Sequence, residues 1–189
     1  MERTFEAVLV EQCAPTLAGV KPASLFRWQE DGRLPAGRLV YQWARVLAPF
    51  GLAVRIVKAC PQTGDCLIYL YRVRWLRRIL AEADNRAFLE GRGYDLSHGC
   101  SGLLEQLSHR LCLAEEFPHE IGVFLGYPLE DVVGFIENQG RNYTCCGCWK
   151  AYGDPEAARR CFACYRRCTE VYCRNLRMGM PVTRLIVAA

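Results

Sequence analysis

Phe117-Pro118-His119-Glu120-Ile121-Gly122-Val123-Phe124-Leu125-Gly126-Tyr127-Pro128-Leu129-Glu130-Asp131-Val132-Val133-Gly134-Phe135-Ile136 is the run from which the rest of the chain can be arranged. Ile121, Val123, Phe124 and Leu125 form a continuous apolar segment of strand length, bounded by Gly126 and Pro128. That pattern predicts a buried, central strand over 121–126. A tight turn and a short amphipathic helix should follow. Pro128 suits a first helical turn, and Glu130 and Asp131 there complement the helix dipole. Leu129, Val132, Val133 and Ile136 then recur at helical spacing. His119 and Glu120, the only His-Glu pair in the chain, stand at the strand's entrance.

Upstream, residues 4–19 read as a helix carrying Phe5, Val8, Leu9 and Cys13, running into a turn-rich connection over 13–22. Residues 23–28 read as a short strand, 29–35 as a polar loop and 36–49 as a helix. Residues 52–59 and 67–72 read as β-rich runs joined by a hairpin connection at 61–65. Helices follow over 73–90 and 100–113. Downstream, Arg141 to Gly153 reads as a strand. Asp154 and Pro155 are a cap and first-turn pair for a final helix over 154–177, and an apolar tail follows from 182 to 188. Five strand candidates interleaved with five or six helices predict an α/β fold, with α+β as the alternative. We expect a single domain over 1–189, with a mixed sheet of about five strands flanked by helices.

Composition narrows the class of protein. Of 189 residues, 51% are hydrophobic and 23% charged, which is globular and not disordered. No apolar run approaches the ~18 residues of a membrane span. The start, Met1 to Glu6, has neither a basic region nor a long apolar core, so no signal peptide is expected and a cytoplasmic location is. A net charge of +4 is too small to imply nucleic acid by itself. Arg159, Arg160, Arg166, Arg167, Arg174 and Arg177 could make a basic helix face, but Asp154, Glu156 and Glu170 dilute it. A solvated helix face is the simpler reading, so nucleic acid is not an expected partner. A small molecule or a protein partner is.

The chain has twelve Cys, seven of them after residue 144. In a reducing compartment such thiols ligate metal, act in catalysis or pack as small hydrophobes. Strand period two would put Cys146 and Cys148 side by side, and helix period 3.6 puts Cys161 and Cys164 one turn apart. Those four thiols have the spacing a tetrahedral zinc or an iron–sulfur cluster requires. Cys161, Cys164, Tyr165, Cys168 and Tyr172 equally make the apolar stripe the last helix needs, and the choice of cofactor, or of none, stays open here.

Three segments carry a resemblance: Cys13-Ala14-Pro15-Thr16-Leu17-Ala18-Gly19-Val20-Lys21, the Phe117–Ile136 run, and Cys146-Gly147-Cys148-Trp149-Lys150-Ala151-Tyr152-Gly153 with the helix after it. Together they resemble the bacterial family known as domain of unknown function 3793, found largely in anaerobes. The resemblance implies a stand-alone, single-domain cytosolic protein, and it implies no activity. Cys13, His119, Glu120, Lys150 and Cys168 fit the family pattern. Gln12 stands where His is common, Cys148 where Tyr is usual, and Cys161 and Cys164 look like additions.

Function follows from where the polar residues fall. Cys13, before a Pro-containing turn, and His119, at a strand entrance, are in the chain order of thiol hydrolases, with Glu120, Asn138 and Asn142 as candidates to orient the His. Lys21, Tyr127 and Lys150 are candidate ligand-binding groups. The leading expectation is a small-molecule-binding or thiol-dependent enzymatic pocket around Cys13, His119, Glu120 and Lys150. The alternatives are a non-enzymatic interaction protein, or a zinc or iron–sulfur protein using Cys146, Cys148, Cys161 and Cys164.

Overall fold

The computed structural model describes residues 4–30, 32, 34–60, 62–113 and 116–188. Within the loops expected at 29–35 and 61–65, Asp31, Arg33 and Pro61 lie outside the described residues, as do the first three residues of the expected leaderless start.

Thr4 caps the first helix, α1 (Phe5–Leu17), by accepting the N–H of Ala7 at 3.2 Å. Strand β1 (Ala23–Gln29), helix α2 (Ala36–Leu47), a 3-10 turn (Ala48–Phe50), strand β2 (Leu52–Cys60) and strand β3 (Asp65–Arg72) follow. The sheet order is β1-β3-β2 and both pairings are antiparallel. Alternation along the strands sorts side chains onto two faces. Phe26, Trp28, Ile68 and Leu70 pack with Phe5, Leu9 and Cys13 of α1 and with Val40 and Leu47 of α2. Leu25, Leu67, Tyr69 and Tyr71 face the opposite way.

The second face is covered by α3 (Val73–Ala81), α4 (Ala83–Gly91), α5 (Gly99–Leu113), α6 (Ile121–Phe124) and α7 (Leu129–Glu137). A small hairpin, β4 (Cys145–Cys146) and β5 (Lys150–Ala151), leads into α8 (Pro155–Arg177). Asp154 caps α8 by accepting the N–H of Glu156 at 2.8 Å. The helix returns to pack along α1, and Tyr172, Cys173 and Leu176 reach the first core. The tail is held by Arg72, which is 1% exposed. Its guanidinium donates to the carbonyls of Thr16 (2.8 Å), Leu17 (2.9 Å) and Val187 (2.8 Å).

Helix and strand are mixed in one chain, as the sequence predicts, but the main sheet has three strands, fewer than the expected five, and no parallel pair. The helix expected over 73–90 is two, broken at Glu82, whose backbone is extended. Asn85 Nδ2 fixes that corner by donating to the Ile79 carbonyl at 3.0 Å. The largest correction is at 121–126, which is not a strand. Pro118, His119 and Glu120 start a helical turn, their carbonyls accepting from Ile121 (3.1 Å), Gly122 (3.1 Å) and Val123 (3.0 Å). Ile121, Val123 and Phe124 are buried on all sides, so the apolar run is continuous for the same reason it would be in a buried strand. Tyr69 of the sheet docks this turn by donating its hydroxyl to the Phe124 carbonyl. The strand expected over 141–153 is the β4–β5 hairpin, closed by the Gly147 N–H to the Trp149 carbonyl at 3.0 Å.

Candidate functional site

The hairpin does not lie on the sheet. It leans against α7 and α8, and the angle between it and the α6–α7 turn leaves a cavity of about 440 Å³. Phe117, Phe135, Tyr127 and Trp149 supply aromatic wall, Ile121, Leu125 and Val132 aliphatic floor. His119, Asp131, Cys146 and Lys150 are the polar residues on the lining. Phe117, His119 and Phe135 also border a more polar hollow of about 760 Å³ that reaches Arg92, Arg110, Glu116 and Glu120. An apolar cleft with a few polar groups converging on it is the common form of a small-molecule site.

One carboxylate holds the hairpin in place. Asp131, 4% exposed in the first turn of α7, accepts from Trp149 Nε1 at 2.7 Å and from the backbone N–H groups of Tyr152 (2.6 Å) and Gly153 (2.9 Å). Trp149 is thereby fixed with its ring stacked on Tyr127, centroids 4.8 Å apart, and edge-on to Phe162 of α8 at 4.5 Å. The turn of the hairpin sits so close to α8 that a Cβ on Gly147 would lie 2.2 Å from the Phe162 ring. Asp131 is the site residue that sequence reasoning missed. Its position in a first helical turn already accounted for an acid, and nothing local pointed to partners eighteen or more residues away.

The polar groups that line the cavity differ in what they have left to give. All of Asp131 is committed to the hairpin. Lys150 Nζ donates to the Gly140 carbonyl at 2.8 Å and lies over the Tyr143 and Phe135 rings at 5.1 and 5.9 Å, so one of its three protons is used. His119 packs its ring on Phe135 at 4.8 Å and Phe117 at 5.9 Å, and the ring has no hydrogen-bond partner among the described residues. The Tyr127 hydroxyl likewise has none, and burial pushes it up to about 12, so it is a donor at neutral pH.

Of the residues singled out from sequence, His119, Tyr127, Cys146 and Lys150 share this cavity. Glu120 does not. It is buried, facing the polar hollow, and its Oε1 accepts from Tyr94 at 3.1 Å and from Arg110 at 3.4 Å. Arg110 in turn lies 4.1 Å over the Tyr94 ring. Glu120 is spent on that network rather than on His119. Cys13 is fully buried in the α1 core, on the opposite face of the sheet from the layer that carries His119. Burial pushes its thiol up to about 12, which removes the thiolate a hydrolase would need. The Cys13–His119 pairing is therefore not formed. Lys21 lies behind the cavity wall, its Nζ 5.3 Å from the Tyr127 ring and 5.8 Å from that of Tyr165.

The thiols do not gather as the strand reading implied. Cys148 is at the tip of a tight turn, not two residues along a strand from Cys146, and Cys146 borders the cavity. Among the described residues no group of three or more His, Cys, Asp or Glu side chains is placed to hold a metal ion. All twelve cysteines are free.

The model of the family described as Protein of unknown function (DUF3793) matches residues 9–186, nearly the whole chain. This chain belongs to that family. No curated protein and no solved structure matches it. The match takes in most of α1, the sheet, the cavity and the hairpin together, so Asp131, Trp149 and Lys150 all lie inside the family region. Among the described residues no helix is long and apolar enough to cross a membrane.

Proposed function

We propose that this family member binds a small molecule in the cavity between the α6–α7 turn and the β4–β5 hairpin. The observation that carries the reading is the pairing of an aromatic-walled cleft with donors that folding has left uncommitted. Phe117, Phe135 and Trp149 wall the cleft around a flat apolar body, with Tyr127 stacked against Trp149. Lys150, the Tyr127 hydroxyl and the His119 ring offer donors to an acceptor on that body. The oxygens of Asp131 are covered by three N–H donors, so Lys150 is the charged group on the lining that can still donate to an incoming acceptor. The ligand class favoured is a planar or compact apolar molecule bearing a carboxylate or a carbonyl.

A panel of aromatic carboxylates and their uncharged esters tests this, with tryptophan fluorescence and calorimetry as readouts. The acids should bind more tightly than the esters. Lys150→Met, which keeps the apolar stem, should weaken the acids about tenfold or more and leave the esters nearly unchanged. No panel member binding below about 1 mM, or acids and esters losing affinity equally in the variant, would overturn the reading.

A further inference from the structure

The polar hollow of about 760 Å³ holds a carboxylate whose pairing is incomplete. Glu120 is on its lining, with a side chain only 8% exposed. Both donors that reach this carboxylate, the Tyr94 hydroxyl at 3.1 Å and Arg110 Nη1 at 3.4 Å, go to Oε1. That network uses one of the two oxygens, and Oε2 has no hydrogen-bond partner among the described residues. Nor is Oε2 sealed from water, since Trp28 Nε1 is the one fully enclosed side-chain polar atom left without a partner there. A charged oxygen that is largely withdrawn from water and still reachable favours a donor, and a charged donor most of all.

Arg110 is not free to complete the pairing. It is anchored over the Tyr94 ring at 4.1 Å, and its Nη2 donates to the Arg92 carbonyl at 2.8 Å, which leaves one long contact to Glu120. The Arg92 side chain, also on the lining, lies against the Phe88 ring at 5.4 Å. Its guanidinium has no ion pair and no hydrogen bond among the described residues. Glu116 is the fourth charged group on the lining. Two guanidinium groups against two carboxylates leave the hollow without net formal charge. A simple anion there meets Glu116 and Glu120, and a simple cation meets Arg92 and Arg110. A ligand that carries both signs a few atoms apart can match both. Phe117, Phe135 and Ile136 supply apolar wall for the rest of it.

We propose that the hollow binds a free amino acid with an apolar side chain. The ammonium donates to Glu120 Oε2, the carboxylate accepts from Arg92, and the side chain lies against Phe117 and Phe135. The volume is in the range of small-molecule sites. The hollow shares Phe117, His119 and Phe135 with the aromatic cleft, but Lys150 lines the cleft and not the hollow, and Glu120 the reverse. The two sites are therefore separable by mutation, and this one does not rest on aromatic acids binding beside Lys150.

Leucine, isocaproate and isoamylamine test it, because they share a side chain and differ in which charged groups they carry. Each is titrated into the whole protein near pH 7, with calorimetry and ligand-observed NMR as readouts. Leucine should bind at least about tenfold more tightly than either relative. Glu120→Gln should erase its advantage over isocaproate, and Arg92→Met its advantage over isoamylamine. Lys150→Met should leave leucine binding unchanged, whatever it does to aromatic acids. Three results would overturn the proposal: leucine binding no more tightly than its relatives, leucine keeping full affinity in Arg92→Met, or leucine weakening in Lys150→Met as the aromatic acids are expected to. Arg92 is exposed, so its variant keeps the test decisive even if Glu120→Gln does not fold.

Discussion

Arg72 and Lys21 are both cations drawn in from the surface, and the chain treats them in opposite ways. Arg72 lies where the sheet meets α1 and the tail, and three backbone carbonyls accept its protons. Thr16 and Ser24 pair their hydroxyls nearby at 2.9 Å. On this side of the molecule nearly every buried polar group is matched, and Trp28 Nε1 is the one buried side-chain donor without a partner among the described residues. Around the hairpin the polar groups are less enclosed. Among the described residues the His119 ring, the Tyr127 hydroxyl and the Lys21 amine have no hydrogen-bond partner, and although aromatic rings lie against all three, none of them is fully buried. Groups that still meet water cost little stability and stay free to pair with a ligand.

The sharpest way to break this contrast is at Arg72. Arg72→Met keeps much of the side chain's volume but leaves the Thr16, Leu17 and Val187 carbonyls without a donor. Hydrogen bonds to a charged group are each worth about 1.5–3 kcal/mol, and they do not add fully, so a loss of about 4 kcal/mol is expected in urea unfolding. A loss below about 1 kcal/mol would mean that the guanidinium is not what ties the tail to the sheet. The matching change on the other side is Asp131→Ala. It removes the acceptor of three hydrogen bonds, one from Trp149 Nε1 and two from the backbone of Tyr152 and Gly153. About 3 kcal/mol is expected. The damage should be local, with hydrogen exchange rising at 144–153 and the sheet protected as before. Exchange rising equally across β1–β3 would contradict the view of the hairpin as an attachment held by one carboxylate.

The two regions also differ in how far the sequence reveals them. Around the sheet, the alternation of Phe26 with Trp28 and the helical spacing of Phe5, Leu9 and Cys13 are local signals, and they lead directly to β1 and α1. At Ile121–Leu125 the same kind of reading fails, because burial on every side removes the period that separates helix from strand. The hairpin is harder still. Its strands are two residues each, too short for alternation, and its position depends on Asp131 and Phe162, which are remote in sequence. His119, Tyr127, Cys146 and Lys150 can be singled out by residue type and by their places at turns and element ends. That they meet, while Cys13 ends on the other face of the sheet, follows from the layer order, which no short-range pattern carries. Lys21 is the extreme case, since its neighbours come from the α6–α7 turn, the hairpin tip and α8.

Cys13 gives the smallest expected effect and tests the matched side from within. It is fully buried against α1 and β1 neighbours, and loss of hydration pushes its thiol from an ordinary value of 9.0 up to about 12. The folded state therefore keeps this proton at a pH where the unfolded chain has released it. Below pH 9.0 both states hold the proton and Cys13 contributes no pH dependence. Between 9.0 and about 12 the unfolded state gains from ionising and the folded state does not, so stability falls as pH rises. The slope approaches about 1.4 kcal/mol per pH unit once the unfolded thiol is fully ionised. Other buried tyrosines and thiols also titrate in this range, so the informative quantity is the difference between the wild type and Cys13→Ala. That difference should be constant from pH 7 to 8.5 and then shrink by about 1 kcal/mol by pH 10. In parallel, a maleimide reagent should modify Cys13 only as fast as the protein opens, while exposed Cys112 reacts at once. A flat difference up to pH 10, with Cys13 labelled as quickly as Cys112, would place the thiol in contact with water. It would also return Cys13 to the set of reactive groups from which its burial now removes it.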